Sequence, residues 1–309
     1  MIMFYALANS RPANSWRVVF TVLLSLLLVL SLAACSTTKE EPTPEPETTT
    51  VTVSGPAGEV PTIEFDEPFE FVSPVTEVLW EGSGEKIQEG DWVMLHMYAL
   101  NPETGDEIRN DYTGLPQAYV FSPKTIGSEL YNSLVELPFG SRIMHVSQDK
   151  DVTQILVVDM LPARSVADPR PVDKALPEVS YEENGKPIVS VGKKLTKPHE
   201  LVVQHLKSGS GLQVDEKAQV LVHIAATTWS DSKEFYSTWE KDAGPIRFKV
   251  GVDKVIAGLD QALVGVPVGS QIMVIIPPEL GFGQTNSDLA KETLVYVVDV
   301  LAATTVPEK

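Results

Sequence analysis

The sequence predicts an α+β protein with two tandem copies of one domain, each a curved antiparallel β-sheet wrapped over one short helix. Three observations predict it: a set of segments recurs in the same order, apolar β-branched runs of strand length dominate both copies, and one segment alone has helical periodicity.

The repeat fixes the domain organisation. Val60 to Phe65 (VPTIEF) parallels Leu176 to Tyr181 (LPEVSY), and Glu77 to Gly84 (EVLWEGSG) parallels Val203 to Ser210 (VQHLKSGS). Trp92 to His96 parallels Gln219 to His223, Phe139 to Met144 parallels Val268 to Met273, and Val157 to Leu161 parallels Val297 to Leu301. The period is too long for a solenoid, so two globular copies are expected, at 59–162 and 176–303, with a Pro-rich linker at 163–175 and a tail at 304–309. Within the second copy, Gln219 to Ala225, Ile246 to Val250, Gln271 to Ile276 and Leu294 to Leu301 read as strands. Asp253 to Val264 reads as the helix, with Val255, Ile256, Leu259 and Leu263 on one face and Asp260 and Gln261 on the other. The copies differ in one interval: Gly140 to Asp159 is shorter by 11 residues than Gly269 to Asp299, and the first copy lacks the Pro-Pro and Gly-Phe-Gly segment.

Ahead of the copies, Arg11 and Arg17 precede an apolar run from Val18 to Leu30 and a small-residue stretch ending in Leu32-Ala33-Ala34-Cys35. That is the layout of an export signal over residues 1–34. Leu32 to Cys35 resembles the lipobox of bacterial lipoproteins, which implies lipidation of Cys35 and an extracytoplasmic chain attached to the bacterial cell membrane through that anchor alone. Cys35 is the chain's single cysteine, so it has no internal disulfide partner. Residues 35–58, rich in Thr, Pro and Glu, are expected to be a disordered tether. A formal charge of −18 argues against nucleic acid and against electrostatic docking on anionic lipid. His96, His145, His199 and His205 have no metal-ligand spacing, and neither metal nor cofactor is expected. His223, in an apolar strand, reads as a hydrogen-bonded core histidine.

The second copy resembles the FK506-binding-protein (FKBP) type of peptidyl-prolyl cis-trans isomerase. The resemblance rests on Val222-His223, Phe235 to Trp239, Phe248-x-x-Gly251, Val255-Ile256-x-Gly258, Val264-Gly265-x-x-Val268-Gly269-Ser270, Ile276-Pro277-Pro278, Gly281-Phe282-Gly283 and Thr293 to Tyr296, in family order. The first copy resembles the same family more faintly, through its ends and the Gly140-Ser141-x-Ile143-Met144 strand, and is expected to be a degenerate FKBP-like domain. The resemblance implies a proline pocket with Phe235, Tyr236, Ile256, Phe282 and Tyr296 as catalytic residues and Ile224, Trp239, Phe248, Val255, Leu259 and Leu289 around the substrate, the Ile256 N–H donating to a substrate carbonyl. Four positions depart from the family: Phe282 for a common Tyr, Tyr236 for an Asp, Leu259 for the Trp of the pocket floor, and Ile224 for a Tyr. The implied substrates are proline-containing peptides or unfolded exported proteins, met by a monomer. A non-catalytic peptide-binding module or surface chaperone is the alternative.

The segment Val255 to Gly283 holds no obvious nucleophile, metal cluster or acid–base pair. Amide rotation needs none. The X-Pro bond turns slowly because resonance holds it planar against a barrier of about 18–20 kcal/mol. A dry wall fitted to the twisted amide lowers that barrier without a covalent step.

Overall fold

The computed structural model describes residues 49–240 and 243–305. Cys35 and the expected export signal lie outside the described residues. The first copy runs β1 (Val51–Ser54), β2 (Thr62–Phe65), β3 (Val75–Trp80), β4 (Trp92–Leu100), β5 (Glu107–Asn110), β6 (Gln117–Val120), α1 (Pro123–Ile126), α2 (Ser128–Leu134), β7 (Arg142–Asp149) and β8 (Val152–Pro162). The second runs β9 (Glu178–Tyr181), β10 (Pro187–Ser190), β11 (Val202–Lys207), β12 (Gln219–Thr228), β13 (Glu234–Ser237), β14 (Ile246–Lys249), α3 (Ala257–Leu263), β15 (Gln271–Ile276), a 3-10 turn (Pro278–Leu280) and β16 (Leu294–Ala303).

Both copies build a six-stranded antiparallel sheet of the same order, β3-β7-β8-β4-β5 with β6 also on β4, and β11-β15-β16-β12-β13 with β14 also on β12. Side-chain alternation explains the layers. Val220, Val222, Ile224 and Ala226 of β12 share one face with Ile272, Val274 and Ile276 of β15 and Tyr296, Val298 and Val300 of β16, and α3 lays Leu259, Ala262 and Leu263 on them. Met273, Ile275, Val295 and Val297 face the other way, under Val179 and Val189 of the β9–β10 hairpin. With both faces covered, β15 is buried along its whole length, which is why its sequence is apolar without alternation from Ile272 to Ile276.

Six details differ from the sequence reading. The helix starts at Ala257, leaving Val255 and Ile256 in the entry loop, and the first copy has two short helices in its place. Asp260 is buried rather than on a solvent face. The end of the Thr-rich stretch is ordered: Val51 and Val53 pair with Phe65 and Ile63 and pack on the first sheet, an alternation the polar composition hid. Consequently β2 closes a hairpin backward onto β1, whereas β9, its sequence counterpart, closes one forward onto β10. Finally, sheet register matches Gly82 to Gly209, one residue off the sequence match, since Trp80 pairs Arg142 as Lys207 pairs Gln271.

The copies pack on one another. Met94, Leu115 and Ala163 meet Leu221 and Leu301, with Trp92 and Ala302 at the margin. Arg247 donates to the Pro116 carbonyl at 3.2 Å. The linker takes part: the Ser165 N–H donates to buried Asp299 at 2.8 Å, and Lys207 donates to the Ser165 carbonyl at 2.9 Å.

Candidate functional site

The site forms where the α3 entry loop and the β15–β16 connection meet the helix-facing side of the second sheet. Ile224, Leu259 and Tyr296 are buried there, and half-buried Phe235, Phe248, Val255, Ile256, Phe282 and Leu289 pack against them. Phe235 stands edge-on to Tyr296, with ring centroids 6.0 Å apart and planes at 79°, a favourable aromatic geometry. The structure thus brings nine of the eleven site residues named from sequence into one apolar cluster.

Two local devices hold this wall. Asp260, in the first turn of α3, accepts from the Gly251 N–H at 2.7 Å and the Asp253 N–H at 3.0 Å. Gly251 and Asp253 have positive φ, and the carboxylate pins their turn to the helix that follows. Sequence reasoning missed this clamp, whose signal was an acid in the first turn of a short helix just after a Gly-x-Asp turn. The entry loop then delivers Ile256, whose carbonyl caps α3 by accepting from Leu259 and Asp260, both at 3.0 Å. Among the described residues the Ile256 N–H has no acceptor.

The second device holds Phe282. The Gly281 and Gly283 N–H groups donate to the Pro278 carbonyl at 3.1 and 2.8 Å, and Thr285 returns both its N–H and its hydroxyl to the Phe282 carbonyl. A Cβ at Gly283 would lie 2.5 Å from the Pro278 oxygen, so only glycine permits this closure. A tight backbone knot therefore carries the ring onto the core at the end of β15.

The remaining two residues behave differently. Tyr236 pairs with Ala226 at the sheet edge and is 41% exposed. Burial raises the pKa of the Tyr296 hydroxyl above the usual tyrosine range, and the nearby Tyr236 phenol adds to this. Trp239 does not join the site. It is buried and stacks on His223, centroids 4.3 Å apart, and Trp92 of the first copy meets the same imidazole edge-on. His223 alternates with Val222 and Ile224 along β12, so it faces away from the helix and takes Trp239 with it. The His223 Nδ1 lies 2.7 Å from the Thr238 hydroxyl, and burial lowers its pKa to about 3. It is a neutral structural imidazole.

Among the described residues no group of three or more His, Cys, Asp or Glu side chains is placed to hold a metal ion. What the cluster offers is an aromatic and aliphatic wall with the Ile256 N–H free beside it, suited to desolvating a peptide segment and orienting it by a hydrogen bond.

Residues 211–301, which contain the whole cluster, match the family model described as FKBP-type peptidyl-prolyl cis-trans isomerase. The FK506-binding protein of Streptomyces anulatus is 31% identical over 109 residues, which cover 34% of this chain and 87% of that protein. A probable FK506-binding protein of Corynebacterium glutamicum is 28% identical over 108 residues, 34% of this chain and 89% of that protein. Human peptidyl-prolyl cis-trans isomerase FKBP14 is 35% identical over 85 residues, 26% of this chain and 40% of that protein. A relative this similar, matched over nearly all of its own length, and a family match that spans the entire apolar cluster lead to one conclusion: the chain belongs to the FKBP-type peptidyl-prolyl cis-trans isomerases.

Proposed function

We propose that the second copy isomerises X-Pro bonds in exported proteins, and that the chain does so outside the cytoplasm, held at the bacterial cell membrane by a lipid on Cys35. The observation that carries the catalytic part is the convergence of Phe235, Phe282 and Tyr296 with the free Ile256 N–H on one apolar wall. In this reading the proline ring sits against the aromatic side chains and the Ile256 N–H holds the substrate carbonyl next to the rotating bond. Removing water from the amide oxygen disfavours the charge-separated resonance form, and a wall shaped for the twisted amide favours the transition state over either planar isomer. Phe282 supplies a ring but no hydroxyl, so substrate binding relies on the backbone donor.

Exchange spectroscopy on a proline peptide with the whole chain tests this. Catalysed exchange is expected, reduced about tenfold or more by Phe282→Ala, equivalent to about 1.4 kcal/mol of lost transition-state stabilisation. Exchange at the uncatalysed rate with the intact chain would remove the proposal. The anchoring part rests on Arg11, Arg17, the apolar run and Leu32 to Cys35. It is tested by mass analysis of the chain's N-terminal peptide from bacterial membranes, where a diacylglyceryl mass on Cys35 is expected and an unmodified thiol contradicts it.

A second reading, a peptide-holding module without useful turnover, draws on Ile224 and Leu259, 2% and 3% exposed, which put aliphatic side chains at the floor. Peptide binding that survives Phe282→Ala, with no catalysed exchange in the intact chain, would favour it.

A further inference from the structure

Sheet register aligns the two copies residue by residue. Arg142 faces Asp159 as Gln271 faces Asp299, and β6-to-β7 is as long as β14-to-β15. Ile108, Tyr119, Ile126, Gly127, Leu130 and Leu156 therefore stand where the second copy has Phe235, Phe248, Val255, Ile256, Leu259 and Tyr296.

In the first copy this place is an open cleft of about 760 Å³, inside the range of about 300–1,000 Å³ usual for ligand sites. Its size has a local cause: no loop crosses it, and Ile108 and Leu156 replace two aromatic rings. Its chemistry has changed in a concerted way. Arg109, His145, Ser147 and Gln154 line it, at the positions of Tyr236, Val274, Ile276 and Leu294. Met97, Leu130 and Leu156 keep an apolar floor.

The polar groups are ordered. Arg109 donates through Nε to Asp111 at 2.9 Å and through one terminal nitrogen to the Tyr119 hydroxyl at 3.1 Å. The other terminal nitrogen, Nη1, has no acceptor among the described residues. His145 is fixed by the Thr76 hydroxyl at 2.8 Å, and the Gln154 amide donates to Ser147 at 3.2 Å. Asp111 offsets the guanidinium charge and the Glu129 carboxylate lies 3.7 Å from His145, so with histidine counted as neutral the cleft carries a formal charge of −1, from Arg109 against Asp111 and Glu129. Such a lining suits an uncharged main-chain carbonyl better than a carboxylate.

We propose that the cleft of the first copy is a second polypeptide-binding site. It holds an extended, uncharged segment, aliphatic side chains against Met97, Leu130 and Leu156 and a main-chain carbonyl on Arg109. It requires no proline and performs no isomerisation. The proposal stands apart from turnover in the second copy.

The probe is a dansyl-labelled, proline-free peptide, Gly-Ala-Leu-Val-Leu-Ala-Gly with an amidated end, titrated with the whole chain and followed by its emission. Saturable binding is expected. Ile108→Glu, at a position 48% exposed, places a charge in the apolar wall, and Thr125→Trp, on an exposed helical position lining the cleft, fills it. Each should weaken the probe at least tenfold while leaving exchange of a proline peptide within twofold, and Phe282→Ala should leave probe affinity within twofold. No saturable binding, an affinity untouched by both first-copy variants, or a loss on Phe282→Ala matching theirs would each overturn the proposal.

Discussion

The two copies share a sheet and part company at one end of it. In the first, β7 turns into β8 through Lys150 and Asp151, both at positive φ, and pairing continues to Asp149 and Val152. That is a two-residue hairpin of the kind strand twist favours. In the second, pairing stops at Ile276 and Leu294, and residues 277–293 leave the sheet to carry Phe282 and Leu289 over the core. The first copy shows that the sheet closes without this excursion. The second copy's longer connection is therefore not needed to close the sheet, and what it adds is Phe282 and Leu289 on the core.

A second difference lies on the opposite face. Arg142 in the first copy pairs with buried Asp159 and donates to the carbonyls of Gly55 and Pro56 before β2. In the second copy Gln271 replaces the arginine, and Asp299 accepts instead from the Gln271 amide and the linker N–H of Ser165. Burial without a bound cation raises the Asp299 carboxyl to about 6. One conserved geometry of strand and aspartate thus serves the first copy's own N-terminal turn, and the junction between copies in the second.

Replacing residues 277–293 by the first copy's 148–153 is expected to break the difference most severely. Catalysed exchange should fall to background, a loss of about a hundredfold or more, while far-ultraviolet circular dichroism keeps its sheet signature. Retained catalysis would mean that the loop does not build the site.

The shared part of the comparison is tested by Gly82→Ala and Gly209→Ala. Added Cβ atoms would lie 2.1 Å from the Phe139 carbonyl oxygen and 2.2 Å from that of Val268. Each change should cost about 2–4 kcal/mol in urea unfolding, with the two values alike. A neutral result at either position would show that the approach is not equally tight in both copies.

The smallest effect is on pH dependence. Unfolded histidine titrates at about 6.5, and folded His223 at about 3. As pH falls below 6.5 the unfolded chain takes up a proton that the folded chain refuses, so this residue removes stability down to about pH 3. Asp299 has the opposite sign: from about pH 6 down to its ordinary 3.8 the folded chain binds the proton first, and stability rises. Thermal melts at pH 7, 5.5 and 4 should show a smaller acid loss for His223→Gln than for the intact chain, and a larger one for Asp299→Asn. Parallel curves for all three would remove this assignment.

Much of this was legible in the sequence because it is local or repeated. The apolar runs of β15 and β16, the Gly-Phe-Gly loop and its absence from the first copy are all contiguous patterns. So was the cluster of Phe235, Ile256, Phe282 and Tyr296, through its family resemblance. What escaped depends on which face a residue takes at a distance. Trp239 follows His223 to the junction because of strand alternation plus a partner, Trp92, supplied by the other copy. Asp260 looked solvent-facing because helical periodicity says nothing of a loop that folds back onto the helix end. Val51 and Val53 were concealed by the Thr, Pro and Glu around them, although their two-residue spacing is that of a half-buried strand. The open cleft of the first copy was invisible because it is defined by what the missing loop no longer covers.

The central claim, that isomerisation belongs to the second copy alone, is tested most directly at the equivalent pair Phe235 and Ile108. Catalysed exchange of a proline peptide is measured for the whole chain carrying Phe235→Ala or Ile108→Ala. The account predicts a loss of about tenfold or more for Phe235→Ala, corresponding to about 1.4 kcal/mol, and a rate within about twofold of the intact chain for Ile108→Ala, a change below about 0.4 kcal/mol on the same scale. Equal losses at both positions, or a loss at Ile108 alone, would contradict it.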